Sequence, residues 1–160
     1  MAIKEFEYYH GAVLTKLLRK DIPMTLTLIE TDKNQSWSAY KISSNKNDYI
    51  FYVKYCLSPQ VTKKHVRWTF RFTNEHLNEL KKFLSNNLWL VLVCAQKDCK
   101  TKPMELCLLN KKEILEGIDI DSINQQTFTV YSESRKELKV CGTMNEKKFT
   151  VERDRIRCIV

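Results

Sequence analysis

The sequence predicts an α+β fold: a mainly antiparallel sheet with an N-terminal helix, a second helix near residues 74–86 and a short third helix near 111–117. Three observations carry this prediction. Apolar residues recur at three-and-four spacing near the start of the chain, runs of β-branched and aromatic residues then follow one another closely, and two later segments carry helix-capping signals. No internal repeat or linker interrupts the 160 residues, so the economical reading is a single globular domain spanning 1–160.

The elements are justified in order. Phe6, Tyr9, His10, Val13, Leu14, Leu17 and Leu18 mark one face of a helix over 5–19. Glu5 and Glu7 at its start and Arg19 and Lys20 at its end suit the helix dipole, and Pro23 prevents continuation. Four strand runs come next: MTLTLIE (24–30), WSAYKIS (37–43), DYIFYVKYC (48–56) and VRWTFRFT (66–73). The polar DKNQ and SNKN connections between the first three are short enough for antiparallel hairpins.

Thr73 or Asn74 caps the second helix, whose Leu77, Leu80 and Leu84 share one side. LWLVLVCA (88–95) is continuously apolar, as a strand covered on both faces must be, and MELCLL follows as another strand. In LNKKEI, Asn110 caps the third helix, Glu113 stands three residues later, and Leu109 and Ile114 occupy the staple positions. TFTVYS, ELKVCGTM and KKFTVER complete the fold as three strands.

Composition bounds the chemistry. No signal-peptide pattern and no bilayer-length apolar run is present, so a soluble, cytoplasmic protein is expected. Cys56, Cys94, Cys107, Cys141 and Cys158 lie within apolar runs and read as core thiols, and the spacing from Cys94 through Cys99 to Cys107 lacks the paired knuckle of a zinc site. Glycine occurs only at 11, 117 and 142, which leaves no phosphate-binding loop or dinucleotide fingerprint. His10, His65 and His76 fit no metalloprotease motif; they read as a core or boundary residue, a member of a basic loop and a polar residue of a first helical turn. Glu30 with Asp32, Asp48, and Asp119 with Asp121 are strand-end carboxylates able to bind magnesium, though turns commonly contain such acids.

Charge is the more informative property. Residues 33–71 hold eight lysines and arginines (Lys33, Lys41, Lys46, Lys54, Lys63, Lys64, Arg67 and Arg71) against one acid, Asp48, so most of the net +8 falls in this quarter of the chain. Eight aromatic residues are interleaved with them. Such a stretch attracts polyanions and offers rings for base stacking, or else is a solvated basic surface over an aromatic core. Alternation places Ile50, Tyr52 and Lys54 on one strand face, Lys41 with Trp37 on another, and Arg67 opposite Trp68, Phe70 and Phe72. If these strands are neighbours in register, Lys41, Lys54, Arg67 and Arg71 form one basic sheet face with Trp37 and Tyr52 among them, extended by Lys63 and Lys64.

The order helix, three antiparallel strands, helix and strand over residues 5–95 resembles the core of the PD-(D/E)XK nuclease-like fold, with the run 66–73 as an extra strand. That resemblance implies an acid-x-lysine motif at the end of the third strand, where this chain reads Tyr52-Val53-Lys54: the lysine is in place and tyrosine replaces the acid. Glu7 and Asp48 stand in for the helix glutamate and a displaced acid, neither at a matching position. The resemblance therefore implies a degenerate, nucleic-acid-binding member of that fold. An active enzyme would be a magnesium-dependent nuclease using Glu7, Asp48 and Lys54, and otherwise no cofactor is expected. The alternative is a protein-interaction module, a subunit or inhibitor in a phage-host or regulatory system, whose basic face binds an acidic protein. No membrane partner is expected, and the sequence does not set an oligomeric state.

Overall fold

The computed structural model describes residues 1–98 and 104–159, so Cys99 lies outside the described residues. Helix α1 (Glu5–Leu18) starts where the Lys4 amide donates to the Glu7 carboxylate at 2.8 Å, and its stripe of Tyr9, Val13 and Leu17 is buried. Strands β1 (Met24–Thr31), β2 (Trp37–Ser44) and β3 (Asp48–Cys56) follow as an antiparallel meander. After β4 (Gln60–Val61) and β5 (Val66–Phe72) comes helix α2 (Asn74–Lys82), then β6 (Leu88–Cys94), β7 (Glu105–Asn110) and helix α3 (Lys111–Gly117). Strands β8 (Gln126–Ser132), β9 (Leu138–Gly142) and β10 (Asn145–Val151) and a 3₁₀ turn at Arg155–Cys158 complete the chain.

Among the described residues, ten strands form two sheets rather than one. The first has the order β1-β2-β3-β6-β7, antiparallel except where β6 runs parallel to β3. The second, β10-β9-β8-β5-β4, is antiparallel throughout. Hydrophobic pattern explains the sorting. β6 is apolar at every position and takes an interior place: Leu90, Leu92 and Cys94 face the second sheet while Val91 and Val93 lie under α1. β5 alternates, burying Trp68, Phe70 and Phe72 and exposing Thr69 and Arg71, so it needs cover on one face only. It finds that cover by packing on the first sheet while hydrogen-bonding to β8, and the Trp68 indole N–H ties the layers together by donating to the Ala95 carbonyl at 2.9 Å.

Three details differ from the sequence reading. α2 ends at Lys82 instead of Asn86; turns follow in which the Phe83, Leu84 and Asn86 amides bond three residues back, leaving Leu84 partly buried against the core. β4 and the 3₁₀ turn are too short to leave a periodic signal. Cys158, placed in an apolar run, is exposed, whereas Cys94 and Cys107 are buried. Among the described residues, no helix is long and apolar enough to cross a membrane.

Candidate anion-binding cleft

Lys54 is the residue around which the site is built. It sits near the end of β3 on the face that meets the second sheet, and only 7% of its surface is exposed. Its Nζ lies 5.0 Å from the centroid of the Phe72 ring and 3.2 Å from His76 Nδ1. An ammonium can only donate, so Nδ1 accepts and the imidazole proton sits on Nε2. Nε2 is 3.2 Å from the Ser36 hydroxyl, which lies 2.6 Å from Asp32 Oδ2. The result is a one-directional chain: ammonium to imidazole, imidazole to hydroxyl, hydroxyl to carboxylate.

Local structure puts each member there. Thr73 caps α2 by accepting the His76 amide at 3.3 Å, which fixes His76 in the first turn with its ring aimed at Lys54. Asp32 and Ser36 flank the β1–β2 turn, in which the Gln35 amide donates to the Asp32 carbonyl at 2.8 Å and Gln35 adopts φ of 58°. Burial pulls the Lys54 ammonium down to about 8, against the opposing pull of Asp32 and Cys56. Burial and the Lys54 charge both lower His76, so it is neutral at pH 7, which agrees with its role as acceptor. Burial works to raise the Asp32 carboxyl, but the hydrogen bonds from Ser36 and the nearby His76 outweigh it and hold Asp32 below its ordinary range.

This chain separates two hollows of opposite character. On one side a cleft of about 580 Å³ is lined by Lys54, Arg67 and Arg71 with the neutral polar groups of Asn34, Gln35, Ser36, Ser58, Gln60 and Thr69; among the described residues no carboxylate lines it. On the other, a hollow of about 320 Å³ carries Glu30, Asp32, Glu75 and Glu79 against one cation, Lys33, beside His76 and Trp37. Among the described residues Lys54 makes no direct ion pair; Asp32 is linked to it through His76, whose Nε2 is 3.9 Å from Asp32 Oδ2, and through Ser36.

The residues that sequence reasoning grouped together are partly divided by the fold. Lys54, Arg67 and Arg71 do line one cleft, although Arg67 and Arg71 belong to a different sheet, and Arg67 is steadied by Gln60 Oε1 at 2.5 Å. Lys63 and Lys64 are exposed at the tip of the β4–β5 hairpin, beyond the Gln60–Arg67 and Val61–Val66 pairs and the Thr62 amide that donates to the His65 carbonyl. Lys41 is elsewhere: Trp37, not Lys41, is the register partner of Lys54, and Lys41 lies four residues further along β2, paired with Asp48 at 3.4 Å. Trp37 and Tyr52 are buried and stacked on each other at 4.7 Å and 17°, so neither offers a ring to a base. Glu7, Asp48 and Lys54 do not converge. α1 carries Glu7 on the far face of the first sheet, and Asp48 opens β3 six residues, roughly 20 Å, before Lys54. The residues missed by sequence reasoning are His76 and Ser36; the only available signal was the helix-capping position of His76.

These features define an α+β domain of two packed sheets with a cationic cleft lined from both. Comparison with protein-family models, curated proteins and solved structures returns no match.

Proposed function

We propose that this chain binds nucleic acid, with Lys54, Arg67 and Arg71 contacting phosphates in the cleft and Lys63 and Lys64 adding charge at the hairpin tip. The observation that carries the reading is a cleft with three cationic side chains and, among the described residues, no lining carboxylate and no direct ion pair to the buried lysine. A buried ammonium is costly unless an anion meets it, and phosphate oxygens meet that need while lysine and arginine supply the salt-dependent attraction typical of phosphate backbones. The neutral donors and acceptors around the cationic groups suit sugar and base edges. The order α1, β1 to β3, α2, β6 supports a nuclease-like core that binds without its catalytic acid, Tyr52 standing where that acid would be.

Titration of generic single- and double-stranded DNA and RNA at low salt tests this. Arg67→Gln and Arg71→Gln each weaken binding about tenfold, while Lys41→Gln, outside the cleft, changes it little. An acidic protein is the competing class of partner. Absence of any nucleic-acid binding at low salt would overturn the proposal and favour that class. Magnesium-dependent cleavage lost in Lys54→Ala would instead identify an active nuclease.

A further inference from the structure

Lys54 differs from the other cationic residues in depth. Arg71 is exposed on the outward face of β5, whereas Lys54 is 7% exposed, on the inward face of β3, and held by a hydrogen bond and an aromatic ring. The bond to His76 Nδ1 uses one of its three N–H groups and leaves two for a ligand. A phosphodiester carries two ester arms, both of which must lead back out of the cleft, and a duplex about 20 Å across cannot bring such a phosphate to a recessed amine. A phosphate monoester has one arm and three free oxygens. It also carries a charge of about −1.5 to −2 near pH 7, which three cations balance better than they balance a diester's single charge.

Resting on the nucleic-acid reading above, we infer that the group recognised at Lys54 is a phosphate monoester, the terminal phosphate of a strand or the phosphate of a free mononucleotide. Arg67 and Arg71, nearer the surface, then hold the outer oxygens or the next phosphate along the strand. The neutral environment of the bound end, formed by Asn34, Gln35 and Gln60, suits the sugar and base that follow it.

The experiment compares three oligonucleotides of one sequence by fluorescence anisotropy: one with a 5′-phosphate, one with a 3′-phosphate and one with hydroxyls at both ends. At least one phosphorylated strand is expected to bind about tenfold tighter than the hydroxyl-ended strand, and Lys54→Met is expected to erase that difference while keeping the remaining salt-dependent affinity. Circular dichroism confirms that the variant is folded, and Lys54→Arg, which keeps the charge, provides a second variant that retains part of the preference. Adenosine monophosphate competing as well as the phosphorylated strand assigns the site to free nucleotides; failure to compete at the same concentration assigns it to strand ends. Equal binding of all three strands overturns the inference and leaves the nucleic-acid reading standing. No binding of any strand overturns both.

Discussion

At the scale of the residue, the position of Lys54 disfavours its charge. Its ammonium titrates at about 8 in the fold against an ordinary 10.5, because burial disfavours its charge. The groups facing it are His76 from α2, Asp32 from the β1–β2 turn, Cys56 on its own strand, and Arg67 and Arg71 across the cleft. Below about pH 8 both folded and unfolded chains carry the proton, so the cost of burying the charge is present in full. Between about 8 and 10.5 the unfolded chain binds the proton that the folded chain has lost, so this group makes stability rise with pH. Lys54→Met is therefore expected to stabilise the free protein by about 1–3 kcal/mol at pH 7, the relieved desolvation exceeding the lost bond to His76. Thermal denaturation checks this. The gain shrinks as pH approaches 10, and a destabilised variant at pH 7 would show that the lysine is already compensated within the chain.

At the scale of the element, close packing at two glycines sets a sharper expectation. A Cβ on Gly142 in β9 would fall on the Gly117 carbonyl at the end of α3, and one on Gly117 would meet the Phe128 ring. Gly142→Ala is expected to destabilise by about 3 kcal/mol or more, because backbone rather than a flexible side chain must move. Gly11 in the interior of α1 meets nothing within 4 Å, so Gly11→Ala is expected to stabilise by about 0.5–1 kcal/mol through helix propensity alone. Chemical denaturation of the pair checks both signs. Much at this scale was legible in the sequence, because it depends on short-range chemistry. The Thr73 and Asn110 caps, the termination of α1 ahead of Pro23 and the opposite faces of Trp68 and Arg67 each follow from a few neighbouring residues. The sheet to which β5 belongs was not legible, since its alternation specifies one buried face and says nothing of its hydrogen-bonding partner. For the same reason the expected basic sheet face became a cleft between sheets. His76 and Ser36 come together across forty residues of chain, a contact that no local pattern announces.

At the scale of the whole molecule, the net charge of +8 is distributed unevenly, in a way that a count does not reveal. Several cations are tied up in ion pairs, including Lys41 with Asp48, Arg153 with Glu105, and Arg155 with Glu113 and Glu152. The cleft cations face no lining acid, and the carboxylates Glu30, Asp32, Glu75 and Glu79 gather in the hollow behind His76. On the proposed function, a polyanion is drawn to the cleft side of the Lys54–His76–Ser36–Asp32 chain, away from the more acidic hollow. The most direct test of this account is the slope of log Kobs against log salt for a single-stranded oligonucleotide, measured for the natural chain and for the Arg67→Gln/Arg71→Gln variant. The three cleft cations alone predict a slope of about −2, steeper where Lys63 and Lys64 also meet phosphates, and removing two of the three predicts a slope shallower by about 1.4. Binding whose slope and strength are unchanged in the double variant, or no binding at about 50 mM salt, would contradict it.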